Sequence, residues 1–113
     1  MMYLLIHNLD SYLKDKILDG YLKEGFVIVF EKDNNILIKK SDVVIADEEL
    51  FVKVLFSYLL RSRKMLDKKS FVCDLSNAFS IAFKQNGYSK FDNRFEWMIQ
   101  NILIREVLKE ESE

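Results

Sequence analysis

Apolar positions change their spacing several times along the chain, and each change marks an expected element. Tyr3 to His7 is a short, continuous apolar run that reads as a strand. From Leu9 onward Leu13, Ile17, Leu18, Tyr21 and Leu22 recur at helical spacing, with Asp10 or Ser11 placed to cap the start. Gly25 suits the left-handed residue that ends a helix, and Phe26 then folds back onto the Tyr21 turn. Phe26-Val27-Ile28-Val29-Phe30 is β-branched and aromatic. Ile36-Leu37-Ile38 follows after Asp33-Asn34-Asn35, residues that tolerate positive φ, so 26–40 is expected to be a β-hairpin turning at Asn34-Asn35. Val43 to Ile45 would add one more short strand. Strands apolar on successive residues imply burial on both faces, or an edge covered by helices.

The period then becomes helical. Asp47-Glu48-Glu49 places negative charge on a first helical turn, where the helix dipole favours it, and Leu50 to Leu60 is apolar on nearly every side. Such a helix is central to its domain or is covered by a partner. After a basic stretch, Phe71, Leu75, Ala78, Phe79, Ala82 and Phe83 form the stripe of a helix over 71–85, stopped by Asn86-Gly87. A last helix over 90–108 starts near Ser89, whose spacing to Asp92 resembles a capping box. It carries Phe91, Phe95, Met98, Ile99 and Ile102 on one face and Trp97, Ile104 and Leu108 on another. The acidic residues 110–113 read as a frayed tail.

The order is therefore β-α-β-β-(β)-α-α-α. It implies an α+β fold in which a small antiparallel β-sheet, the 26–40 hairpin plus short strands, packs against about four helices, three of them C-terminal. At 113 residues one domain spanning 1–113 is expected, with no linker, repeat or low-complexity segment.

Composition narrows the classes of function. Half of the residues are hydrophobic and 31% are charged, which is typical of a chain that folds. No apolar run reaches the roughly 18 residues needed to cross a bilayer, so neither a membrane span nor membrane partner is expected. Met1 to Ile6 lacks a basic n-region and a small-residue cleavage site, and a cytoplasmic location is the expectation. The single cysteine, Cys73, rules out an intrachain disulfide and a cysteine cage for a metal. Without proline, and with three glycines, the chain has no glycine-rich phosphate loop, and no cofactor is expected.

Three features bear on chemistry. His7, the one histidine, ends an apolar run beside Asn8 and Asp10 with no nucleophile or metal-ligand spacing near it, so a structural role is expected. Cys73 opens the expected third helix, where the dipole would lower a thiol pKa, but its apolar setting is that of a small core residue. The net charge of −1 hides a basic middle: residues 1–60 carry −3, 61–90 carry +5 and 91–113 carry −3. That excess centres on Arg61, Arg63, Lys64, Lys68 and Lys69. Cations in a helix's last turn are favoured by its negative pole, and the same residues would suit phosphates, with the following helices acting as a helix-turn-helix.

No Walker loop, dinucleotide fingerprint, HExxH or nucleophile elbow occurs, and the carboxylates form no spaced pair. Catalysis is thus not expected, although a site assembled from distant residues is the third alternative. The leading expectation is a small interaction or regulatory protein that self-associates or binds a protein partner through an apolar helical surface. Phe51, Val52, Phe56, Trp97, Ile104 and Leu108 are its candidate contacts. Nucleic-acid binding by 61–69 is the alternative.

Overall fold

The computed structural model describes residues 2–44, 48–61, 68–85 and 98–106. The fold is mixed α+β, a four-stranded mixed sheet with four helices. Strand β1 (Tyr3–His7) leads to helix α1 (Lys14–Lys23), then strands β2 (Phe26–Lys32) and β3 (Asn35–Lys40), helices α2 (Glu48–Arg61) and α3 (Lys68–Gln85), and strand β4 (Ile102–Glu106). A fourth helical segment is described only at residues 98–100. The chain divides into two compact units, Met1–Val44 with Asn101–Glu113, and Ile45–Gln100.

In the first unit the strands lie in the order β2-β3-β1-β4. Antiparallel β3 sits between β1 and β2, which makes β1-α1-β2 a split βαβ unit. β4 pairs in parallel with β1, Tyr3 opposite Ile102 and His7 opposite Glu106. The sheet is therefore mixed rather than antiparallel, and residues 102–106 are a strand where helical spacing predicts the end of a helix. Ile102, Leu103 and Ile104 suit a strand as well as a helix, and pairing along β1 decides between them.

One face of the sheet is built from Leu4, Ile6, Phe26, Ile36 and Ile38. Leu18 of α1 closes over it, with Leu13, Ile17 and Tyr21 alongside. On the other face Tyr3, Leu5 and Leu37 are also fully buried, so the central strands are covered on both sides as their continuous apolar runs imply. β2 departs from that expectation. It is an edge strand and leaves Val27, Ile28 and Phe30 exposed. A β-bulge between Ile28 and Phe30 switches its faces: Ile28 opposes Ile38 on the α1 side, and Phe30 opposes Leu37 on the other.

Helix α1 is shorter than its periodicity suggests. Neither Asp10 nor Ser11 caps it through a side chain. Their carbonyls instead accept from the Leu13 and Lys14 N–H groups in a preceding turn, and Leu13 is the N-cap. The C-terminus matches the expectation. Gly25 has φ 94°, its N–H donates to the Leu22 carbonyl at 3.2 Å, and Phe26 meets Tyr21 edge-on at 5.4 Å. Lys40 adds a second stop, donating from Nζ to the Glu24 carbonyl at 2.7 Å while lying 4.5 Å from the Phe26 ring centre.

The hairpin forms, but its two-residue loop is Asp33-Asn34, one position earlier than expected. Both have positive φ, 51° and 67°, and Lys32 pairs with Asn35. That is the type I′ geometry that matches the twist of the flanking strands. Val43 and Val44 lie in no strand, and Ile45 falls outside the described residues.

In the second unit Phe51 of α2 stacks on Phe79 of α3 with ring centres 5.5 Å apart. Phe51 stands near the start of α2 and Phe79 beyond the middle of α3, so with six residues between the helices they run antiparallel. Leu55, Leu59 and Leu75 of the same two helices are also buried. Helix α3 begins at Lys68, three residues ahead of the expected 71, and Cys73 is an exposed residue of its second turn, neither at the helix start nor in the core.

Candidate functional site

Helices α2 and α3 bound a groove of about 500 Å³. Apolar Leu50 and Val54 of α2 and Ala78, Ile81 and Ala82 of α3 line it, together with about as much polar surface, from Lys53, Ser57 and Tyr58 of α2 and Asp74, Asn77 and Gln85 of α3. The two alanines recur at helical spacing and keep the groove wall low. Ile81 stands above them, 58% exposed, and Leu60 near the end of α2 is 47% exposed. This open groove of mixed apolar and polar lining suits a contact surface better than a deep ligand pocket.

The expected interface residues lie elsewhere. Phe51, Val52 and Phe56 are buried within the chain, because α2 is apolar all round and the fold covers most of it. Ile104 is half-buried on β4, and Trp97 and Leu108 are outside the described residues. Ile81 does not stand out in the sequence as a contact residue, because it lies off the Leu75–Phe79 stripe. Its one signal is that it is a large apolar residue among Asn77, Ala78 and Lys84 on a helix whose core stripe is already complete.

Of the basic segment, Arg61 closes α2 and Lys68 and Lys69 open α3, while Arg63 and Lys64 are outside the described residues. Among the described residues of this segment, dipole stabilisation of a last turn accounts for Arg61. Lys68 and Lys69 stand at a positive helix pole, in a first turn that holds no acidic residue. The expected recognition helix over 90–108 does not continue past residue 100, since 102–106 is strand.

A second polar cluster sits at the carboxyl end of β1. His7 is 9% exposed and its Nδ1 lies 2.7 Å from Asn35 Oδ1. The same oxygen accepts from the Asn8 N–H at 3.2 Å, and the Leu9 N–H donates to the Asn34 carbonyl at 2.7 Å. His7 thus ties β1 to the hairpin, in keeping with a structural role. Nearby, Lys14 and Glu31 form an ion pair at 2.7 Å beside a cleft of about 340 Å³. Both side chains are substantially exposed, so the pair contributes at most about 1 kcal/mol. Asp10 Oδ2 is buried with no hydrogen-bond partner among the described residues.

Among the described residues no three His, Cys, Asp or Glu side chains gather to hold a metal ion, and no helix is long and apolar enough to cross a membrane. No protein-family model, curated protein or solved structure matches the chain.

Proposed function

We propose that this protein is a small, non-catalytic interaction protein that self-associates through the α2–α3 face. The observation that carries the reading is the groove itself: Val54, Ala78 and Ala82 on two antiparallel helices, left open and lined also by the exposed Ile81. Two such hairpins stacked about a two-fold axis make a four-helix bundle, which buries both grooves without any further element. The dimensions suit that occupant. Helix α3, at 18 residues, is about 27 Å long, and two helices packed about 9 Å apart present a face about 20 Å wide. The footprint is roughly 500 Å² in projection and larger in accessible area, approaching the about 800 Å² that each partner gives to a stable interface.

Light scattering at micromolar concentration tests the reading. The chain is expected to elute as a dimer of the 13.4 kDa protomer, and Ile81→Lys as a monomer with the circular dichroism of the parent. A wild-type monomer would overturn it.

A second reading rests on Lys68 and Lys69. Cations at a helix N-terminus strengthen a pole that already attracts anions through its free N–H groups, which supports a phosphate as the ligand of this end of α3. Together with Arg61, Arg63 and Lys64 they make nucleic acid the alternative partner. Binding would fall with salt at a slope near −0.9 per phosphate neutralised on duplex DNA, and Lys68→Gln with Lys69→Gln would flatten that slope. Absence of binding to single- or double-stranded DNA at about 50 mM salt would remove this alternative.

A further inference from the structure

The groove between α2 and α3 changes character along its length. Phe51 stacks on Phe79, which sets those two positions level on helices that run antiparallel. Counting outward from that pair at an equal rise per residue, Leu50 comes close to level with Ile81, Lys53 with Asn77, and Ser57 with Asp74. Leu50, Ile81 and Ala82 thus make one end apolar, with Gln85 beyond them. Ser57, Tyr58 and Asp74 make the other end polar.

A second copy can cover this face about a two-fold axis in two ways. An axis across the helices lays α2 on the partner's α2 and turns the groove end for end. The apolar end would then meet the polar end, and Lys53 would approach the partner's Lys53. An axis along the helices lays each α2 on the partner's α3 and keeps every height. Leu50 then meets the partner's Ile81, apolar on apolar. Lys53 comes over the partner's Asn77, and the partner's Asp74 stands one turn away, about 4.5 Å along the helix and within reach of a lysine amine. Lys53 and Asp74 are both exposed, and neither takes part in an ion pair among the described residues. The two charges are therefore available to a partner, and the second arrangement satisfies both of them twice per dimer.

Resting on the self-association proposed above, we propose that the partner is a second copy related by a two-fold axis parallel to α2 and α3, so that each α2 covers the partner's α3 and Lys53 pairs with the partner's Asp74. Charge reversal in the full chain tests this by sedimentation equilibrium at about 150 mM salt, where attraction between unlike net charges is largely screened. Lys53→Glu alone and Asp74→Lys alone should each associate about tenfold more weakly than the wild type, because two exposed pairs per dimer turn from attraction to repulsion. An equimolar mixture of the two variants should regain association, since every such contact in the mixed dimer is again between unlike charges. A wild-type dimer whose single variants associate unchanged, or whose mixture gives no rescue, overturns the axis and leaves the self-association standing; a wild-type monomer overturns both. Should either reversal disturb the fold, Leu50→Cys mixed with Ile81→Cys, each in a Cys73→Ser chain, decides the same point. An interchain disulfide between the two is expected, because the bond forms only where those positions face each other, and its absence from a dimeric sample overturns the axis.

Discussion

Gly20 and Gly25 stand five residues apart, and alanine is expected to act on them in opposite directions. A Cβ added at either position meets nothing within 4 Å, so crowding does not distinguish them. Backbone conformation does. Gly20 is an exposed residue inside α1, where alanine is more favourable than glycine by about 0.8–1 kcal/mol. Gly25 has φ 94°, a region that costs an L-residue roughly 1–2 kcal/mol. Reduced freedom of the unfolded chain returns about 0.4–1 kcal/mol of that, so Gly25→Ala should lose about 1 kcal/mol net. The two variants should differ by about 2 kcal/mol. With a urea dependence of about 1–3 kcal/mol per molar, their midpoints would separate by roughly 1 M, Gly20→Ala above the parent and Gly25→Ala below it. Equal shifts, or a stabilised Gly25→Ala, would refute the left-handed cap and with it the assigned end of α1.

The hairpin turn gives a second test: Asp33→Val with Asn34→Val puts β-branched residues at φ 51° and 67° and should cost at least about 2 kcal/mol in urea unfolding. Asn35→Val lies outside the two positive-φ residues but strips a buried acceptor from His7 and Asn8 and a donor from the Asp33 carbonyl, and should cost about 1–3 kcal/mol. Phe79→Ala empties a fully buried position stacked on Phe51 and should cost about 3–5 kcal/mol, a large share of a typical domain's stability. Ile81→Ala, on the same helix but exposed, should stay within about 0.5 kcal/mol for the protomer. Glu31→Gln removes the exposed ion pair with Lys14 and should cost less than about 1 kcal/mol, measured as the change in urea midpoint at low salt.

Local chemistry made much of the first unit legible. Gly25 with Phe26 behind it reads as a helix stop because only that geometry satisfies the last carbonyls, and Phe26 to Phe30 reads as strand because its side chains are stiff at χ1. The turn was harder to place, since Asp33-Asn34 and Asn34-Asn35 both tolerate positive φ. The choice between them rests on Asn35, whose side chain is needed by His7, 28 residues earlier in the chain. Residues 102–106 were misleading for a related reason. Met98, Ile99 and Ile102 keep helical spacing, and nothing local reveals that β1, about a hundred residues away, supplies the hydrogen bonds that make β4 a strand. For the candidate site, apolarity on every side of α2 showed that the helix is central, but not which side chains the fold would cover. Phe51, Val52 and Phe56 went inward, and the open groove fell to a face where alanines leave room.

Self-association through the α2–α3 groove is tested most directly by following the Ile81 δ1 methyl resonance of the wild-type chain on dilution from high to low micromolar concentration. The proposed dimer requires that methyl to shift or broaden with concentration, while the methyls of Ile6 and Ile36, buried in the sheet core, hold their positions. An Ile81 signal that stays fixed across the whole range, in a sample that scatters as a monomer throughout, would contradict it.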